Sequence, residues 1–352
     1  MPALKVISPG LMTTLQDLGR RGYQRLGIPV SGALDEISLR AANLIAGNPA
    51  AIGALEIAYQ GPTLEVEAES VRVAYAGGGA AVEVLSSAGA TEARRLPPLQ
   101  SVRLTKGQVV RIGALSGSPI GYLAVEGGFD VPLALGSQST YMRGGLGGFA
   151  GRALRSGDLL GLKRPQADAR DERMLASVDL TPPKRIRVVF GPQDDYFTAK
   201  GKHTLGESEY TVTPASDRMG MRLDGPPLEH AKGYNIVSDG ISPGSIQVPG
   251  NGVPIVLLAD RQTTGGYPKI ATVISADMPA LGRLAPGAKI AFEAVDIAAA
   301  EAAHRQFRDG LERMAKSVAS VRPAAAVDES KLLGSNLVSG VVSAWNWQEV
   351  DV

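Results

Sequence analysis

A mainly β fold in two similar barrel-like halves, with a few short helices, is what the sequence predicts, and three observations predict it. Gly at 43 and Pro at 23 punctuate short runs of β-branched or alternating residues, the pattern of a barrel or sandwich. Clear helical periodicity is confined to two stretches. The run Gly151–Leu160 (GRALRSGDLL) is echoed by Gly282–Ile290 (GRLAPGAKI). Each gives Gly-Arg, a leucine, then a glycine turn into a strand at the end of its half, as duplication of one barrel unit would leave.

The elements follow in chain order. Leu34, Ile37, Ala41, Leu44 and Ile45 share a face, so the spacing predicts a helix over 34–46, capped by Ser31 and stopped by Gly47-Asn48-Pro49. This helix is expected to plug a barrel end. Strands are expected at Thr63–Glu67, Val71–Tyr75, Val102–Leu104, Val109–Ile112 and Tyr122–Val125, each closed by Gly, Pro or a polar cluster. Gly77-Gly78-Gly79 lacks the Lys-Ser/Thr of a phosphate loop and is expected to make a hairpin turn. Gly145, Gly147 and Ala150 match the dinucleotide fingerprint by letter, but no hydrophobic strand precedes them and no helix follows. A tight loop is the expectation there. The charged segment Arg164–Arg173 and Thr181-Pro182-Pro183 mark a domain boundary. The expected division is 1–175, 184–295 and a C-terminal 296–352. Ile297, Ala300, His304, Phe307, Leu311 and Met314 share the face of a second helix, with His304 half-buried. The apolar segment Leu332–Val342, with Trp345 and Trp347, is expected to dock on this chain or a partner.

Composition excludes several function classes. A chain of 352 residues exceeds one ordinary core. Lys plus Arg number 36 against 35 for Asp plus Glu, so no net field favours nucleic acid or an anionic membrane. Zero cysteines exclude disulfides, thiolate metal sites and a cysteine nucleophile, and fit a reducing compartment. With no leader-like or membrane-spanning run, the cytoplasm is the expected location. His203, His230 and His304 are too scattered for a histidine metal site, so no metal is expected.

The densest chemistry lies in Ile255–Ala271, where an apolar strand runs into Asp260, Arg261, Gln262, Thr263, Thr264, Gly265, Gly266, Tyr267 and Lys269 before re-entering an apolar strand. Such a loop joins a cation, hydrogen-bond donors and close backbone approach, as a developing oxyanion requires. A solvated hairpin with an Asp–Arg pair reads the same way. Ala215–Leu223, with Asp217 and Arg218, and Val189–Phe197, with Gln193, are further polar clusters beside strands. Surface ion pairing explains these as readily. Gln16–Tyr23 and Gly27–Asp35 read as turns and caps around the first helix.

Taken together, Gly10–Arg20, Gly27–Gly32 with Asp35, Gly191–Gln193, Ser216–Gly220 (SDRMG) and above all Asp260–Lys269 (DRQTTGGYPK) resemble the biotin-dependent carboxyltransferase family, in order over about residues 3–295. Its members include allophanate hydrolase subunit 2, the matching part of urea carboxylase, the C subunit of 5-oxoprolinase and an antagonist of a sporulation-kinase inhibitor. The resemblance implies two tandem cyclophilin-like β-barrel domains and a subunit-B-like carboxyltransferase partner in a hetero-oligomer. It implies catalytic roles for Asp260, Arg261, Lys269 and Asp217, with Arg261 or Lys269 as the charge and Asp260 or Asp217 as the base. It implies substrate binding by Gln193, Arg218, Gln262, Thr263, Thr264, Gly265, Gly266 and Tyr267. The chemistry implied is ATP-dependent opening of the 5-oxoproline lactam, with ATP used at a partner subunit; the free-standing length favours this. The alternatives are biotin-dependent carboxyl transfer to urea or a related amide, and non-catalytic antagonism of a partner protein. No Ala-Met-Lys-Met attachment sequence is present, so any biotin is presented by another domain or chain. The DRQTTGG hairpin is expected to line a recessed cavity, its side chains converging on one bound carbonyl.

Overall fold

The computed structural model describes residues 1–321, and the expected docking segment with Trp345 and Trp347 lies outside them. Three hydrophobic clusters organise the described residues: one drawn from Leu4 to Leu162, a second from Ile186 to Phe292, and a third, from Leu39 to Leu175, where a helix packs on the first half. The first lies within two sheets. In spatial order the six-stranded sheet runs Leu159–Gly161, Ala3–Ser8, Thr63–Val66, Val109–Ile112, Val82–Leu85 and Ala93–Arg95. The five-stranded sheet runs Met12–Gln16, Ala54–Ala58, Ser116–Val125, Ser70–Gly79 and Ser101–Thr105. Alternation in the sequence sets the faces: in Thr63–Val66, Leu64 and Val66 are buried while Thr63 and Glu65 are partly exposed. Each fully buried Leu, Val or Phe of such a core contributes roughly 1.5–3 kcal/mol.

The second core fills a closed barrel of seven strands, in the order Ile186–Phe190, Lys269–Val273, Ser245–Gln247, Ile255–Leu257, Gly220–Asp224, Glu209–Val212 and Lys289–Ala294. Closure leaves no edge strand to protect. The echoed glycines behave alike: Gly157 and Gly287 both adopt φ +87° and donate at 2.8 Å, to the Val6 and Val212 carbonyls. The strands they open pair alike with the strands that accept these bonds: Leu159–Gly161 runs antiparallel to Ala3–Ser8, and Lys289–Ala294 antiparallel to Glu209–Val212. Lys289–Ala294 has a further, parallel partner in Ile186–Phe190.

Four α-helices occur among the described residues: α1 (Glu36–Ala46), α2 (Ala199–Glu207), α3 (Met278–Gly282) and α4 (Ile297–Lys316). The cap of α1 is Asp35 rather than Ser31, because its carboxylate accepts from the Ile37 and Ser38 N–H groups. Nor does α1 plug a barrel end. Leu39, Ala41, Ala42 and Ile45 pack on Ala74, Ala76, Ile120 and Tyr122 of the five-stranded sheet. The Gly77–Gly79 run lies within Ser70–Gly79 and is no turn. It is glycine because Ser116–Val125 crosses closely: a Cβ on Gly78 would strike the Ser118 carbonyl. The Gly145–Gly151 run is a tight loop, with positive φ at Gly145, Gly147, Gly148, Ala150 and Gly151.

Helix α4 straddles the two halves instead of burying a full face. Ala303 is its only fully buried residue, and Phe307, Leu311 and Met314 are half-covered. His304 is therefore exposed, contrary to expectation, with its Nδ1 3.0 Å from Ser275 Oγ. The charged segment before the second core belongs with the first half by its contacts. Arg170 pairs with Glu126 at 2.8 Å and Glu172 with Arg72 at 3.0 Å, which supports our proposed division between 175 and 184.

Candidate functional site

The DRQTTGGYPK run leaves the barrel strand Ile255–Leu257 and returns as Lys269–Val273, so the barrel fixes both ends. Between them Thr264–Gly265 pairs with Asp239–Gly240 in a two-residue ribbon. A Cβ on Gly265 would lie 2.6 Å from Gln247 Nε2, so a larger residue there would displace the Gln247 side chain.

Arg261 and Lys269, each only 1% exposed, flank this ribbon. Arg261 Nε donates to the Ile241 carbonyl at 3.1 Å and Nη1 to Leu258 at 3.4 Å. Gln24, from the first half, donates to the same Ile241 carbonyl at 3.1 Å. Arg261 Nη2 has no partner among the described residues, and burial lowers the guanidinium pKa to about 10. Lys269 Nζ donates to Asp239 Oδ2 at 2.8 Å and to the Gly240 carbonyl at 3.1 Å.

Side-chain amides surround the lysine. Gln193 Nε2 donates to Asp239 Oδ2 at 3.0 Å, and Gln193 Oε1 accepts the Lys269 N–H at 3.2 Å. Gln262 Nε2 donates to Gln247 Oε1 at 3.2 Å, and Gln247 Nε2 to the Tyr267 carbonyl at 3.4 Å. The Lys269 and Gln193 hydrogen bonds, in that order, hold the Asp239 carboxyl below its ordinary range. Gln262, Thr264 and Tyr267 are exposed at the rim, and Thr263, Gly265 and Gly266 are partly covered.

Asp260 and Arg218 do different work. Arg218 Nε donates to Asp260 Oδ2 at 2.8 Å, Nη1 pairs with Glu56 of the first half, and Nη2 donates to the Gly32 carbonyl at 2.6 Å. The Tyr122 hydroxyl donates to Glu56 Oε2 at 2.5 Å and the Leu34 N–H to the same oxygen at 2.9 Å. Burial opposes the Arg218 charge, but Glu56 and Asp260 outweigh it and hold the guanidinium above its ordinary pKa. Both Asp260 oxygens accept from Arg218, whose remaining bonds to Glu56 and Gly32 clamp the halves together, so this carboxylate is not a free base. Asp217 Oδ1 accepts the Met219 and Gly220 N–H groups at 2.8 and 3.1 Å, holding its own turn.

The twelve expected residues thus fall into three groups instead of converging on one carbonyl. Gln193, Gln262–Tyr267 and Lys269 gather at the ribbon. Asp217, Arg218 and Asp260 line a cavity of about 340 Å³. Arg261 lines a cleft of about 870 Å³ between the halves, and residues 262–269 line neither cavity. Arg261 and Lys269 bond neighbouring residues, Ile241 and Gly240, yet only Arg261 lines the cleft. Sequence reasoning missed Asp239, Gln247 and Glu56. Of these only Glu56 carried a local signal, a lone acid within the buried strand Ala54–Ala58.

A family model described as carboxyltransferase domain, subdomain A and B, matches residues 26–294. The C subunit of 5-oxoprolinase from Haemophilus influenzae is 36% identical over 308 residues, covering 87% of this chain and 95% of that one. The C subunit of 5-oxoprolinase from Escherichia coli is 40% identical over 289 residues, covering 82% and 90%. Among solved structures, the K. lactis urea amidolyase superposes with a TM-score of 0.78 at 28% identity, covering 89% of this chain and 20% of that one.

Proposed function

The chain belongs to the family of carboxyltransferase domains with subdomains A and B, and from that premise we propose that it is a 5-oxoprolinase subunit of the C type. It acts with partner subunits, one of them subunit-B-like, in the ATP-dependent opening of 5-oxoproline to glutamate. ATP is used on a partner chain. The lack of cysteine suits a reducing compartment, and we place the enzyme in the cytoplasm.

One observation carries the chemistry: a buried lysine set among glutamine side chains at the ribbon. A lactam offers an N–H donor and a C=O acceptor on adjacent atoms, and a carboxamide offers the complementary pair. Gln193, Gln247 and Gln262 supply such groups, and the Lys269 ammonium supplies positive charge where an amide oxygen gains negative charge in the transition state. Thr263, Thr264, the Gly265 and Gly266 amides and Tyr267 border the same place. With Asp260 committed to Arg218 and Asp217 to its turn, the proton-accepting group comes from the partner subunit.

Likeness to urea amidolyase favours a second reading, carboxyl transfer from carboxybiotin to urea or a related amide. The ureido ring of biotin carries the same N–H and C=O pair, so the same cluster would receive it, with biotin presented by another chain. Coverage of 95% and 90% of the two 5-oxoprolinase relatives, against 20% of urea amidolyase, supports the first reading. Co-expression with candidate partner subunits, followed by assays of ATP-dependent 5-oxoproline cleavage and of carboxybiotin-to-urea transfer, separates them. Lys269→Met should lower the active assay by roughly a hundredfold or more. Wild-type turnover in Lys269→Met would sink the assignment, and an intact complex silent in both assays would favour a regulatory antagonist.

A further inference from the structure

The cleft of about 870 Å³ between the halves holds a second chemistry that the amide cluster does not use. Arg261 and Ser31 both line it, at 1% and 5% exposure. Arg261 Nη2 and Ser31 Oγ are both buried without a partner among the described residues. Their backbones run close together, because the Ser31 N–H donates at 3.0 Å to the carbonyl of Ala259, two residues before Arg261. An unsatisfied buried donor is a cost that folding ordinarily removes, and two in one cleft point to an acceptor arriving from outside. Ser31 is also held at φ +55°, a conformation unfavourable for any residue with a Cβ. Such strain persists where the surrounding structure fixes a side chain for use.

Charge and shape define the ligand. Arg21, Arg40, Arg261 and Arg308 line the cleft against only Glu36 and Glu312, and Glu36 is already paired with Arg40 at 2.6 Å. The walls beyond are apolar, formed by Val30, Leu34, Leu258, Val273, Phe307 and Leu311. One free guanidinium nitrogen, Arg261 Nη2, and one free hydroxyl in the same cleft suit the two oxygens of a carboxylate. Cavities of about 300–1,000 Å³ enclose ligands much larger than a five-membered lactam. We propose that this cleft is a second binding site, for an extended aliphatic monocarboxylate whose head takes Arg261 Nη2 and Ser31 Oγ and whose tail lies under α4. The proposal does not rest on the 5-oxoprolinase reading, since Lys269 and its amides do not line the cleft.

Calorimetric titration of the full chain with octanoate, octanol and acetate tests it. Octanoate should bind saturably, with octanol and acetate each roughly tenfold weaker or worse, since one lacks the charge and the other the tail. Arg261→Gln should weaken octanoate by roughly tenfold. Because Arg261 also holds two backbone carbonyls and its variant could misfold, Ser31→Gly is the deciding control. Glycine suits φ +55° and removes the Cβ with its hydroxyl while introducing no new group, so octanoate affinity should fall several-fold while the thermal midpoint holds or rises. Octanol binding as tightly as octanoate, no saturable octanoate binding, or unchanged affinity in Ser31→Gly would each overturn the proposal.

Discussion

Lys269 is a cation with almost no water contact, beside a carboxylate, Asp239, that is 51% exposed. The asymmetry fixes what each substitution does. With the ammonium removed, Asp239 loses the strongest of the bonds that depress its pKa, so in Lys269→Met its carboxyl should titrate upward, toward the ordinary aspartate value of about 3.9. A depressed carboxyl stabilises the folded state above the unfolded pKa and loses that contribution as pH falls through the folded one. The acid limb of the wild-type stability profile should therefore contain an Asp239 component that the variant lacks. Carboxyl-detected NMR titration reads the shift directly, and an unmoved Asp239 would show that Lys269 does not set it. Lys269 and its hairpin were legible in the sequence because they form one continuous run. Asp239 and Gln247 were not, and Ser31 was read only as a helix cap, because only barrel closure and the meeting of the halves bring them beside that run.

Helix α1 shows how an element's end can also be a joint. The Asp35 carboxylate caps the helix, accepts the Ser38 hydroxyl at 2.5 Å and pairs with Arg283 Nη1, just after α3, at 2.9 Å. Burial nonetheless raises its pKa, outweighing the Arg283 charge and these hydrogen bonds. Substituting the two partners should have unequal costs. Asp35→Ala removes the cap and strands a buried guanidinium that cannot shed its proton, a loss of about 3–5 kcal/mol. Arg283→Met leaves a carboxyl that keeps three protein donors and can take up a proton, a loss of about 1–3 kcal/mol. Urea denaturation midpoints of the two variants check the order, and equal losses would refute the argument. The helix itself was plain from its 3.6-residue spacing, but a start read at Leu34 put Asp35 inside the helix and left Ser31 as the cap, whereas the first turn begins at Glu36 and Asp35 caps it. Likewise the glycines of a turn and of a crowded strand are the same letter, and Gly77–Gly79 gave no sign of the strand that crosses them.

The two cores meet across Arg218, which lies 162 positions from Glu56 and joins it to Asp260. The mainly β plan in two halves could be inferred from strand rhythm and family resemblance, although only the second half closes as a barrel among the described residues, and no local pattern announces a pair so distant in the chain. Arg218 satisfies two buried carboxylates and a carbonyl through its planar fork. Arg218→Met would leave Glu56 and Asp260 buried, mutually repelling and without a counter-charge, at about 3–5 kcal/mol. Arg218→Lys should recover little of this, because one ammonium cannot span three acceptors set around a fork. Each half has its own core, so losing the clamp should weaken the coupling between them more than either interior. Differential scanning calorimetry of the wild type should then show one transition, and Arg218→Met should split it, with the less stable half melting first. A single transition shifted uniformly downward would mean that α4 and the α1 contacts, not Glu56–Arg218–Asp260, make the halves unfold together.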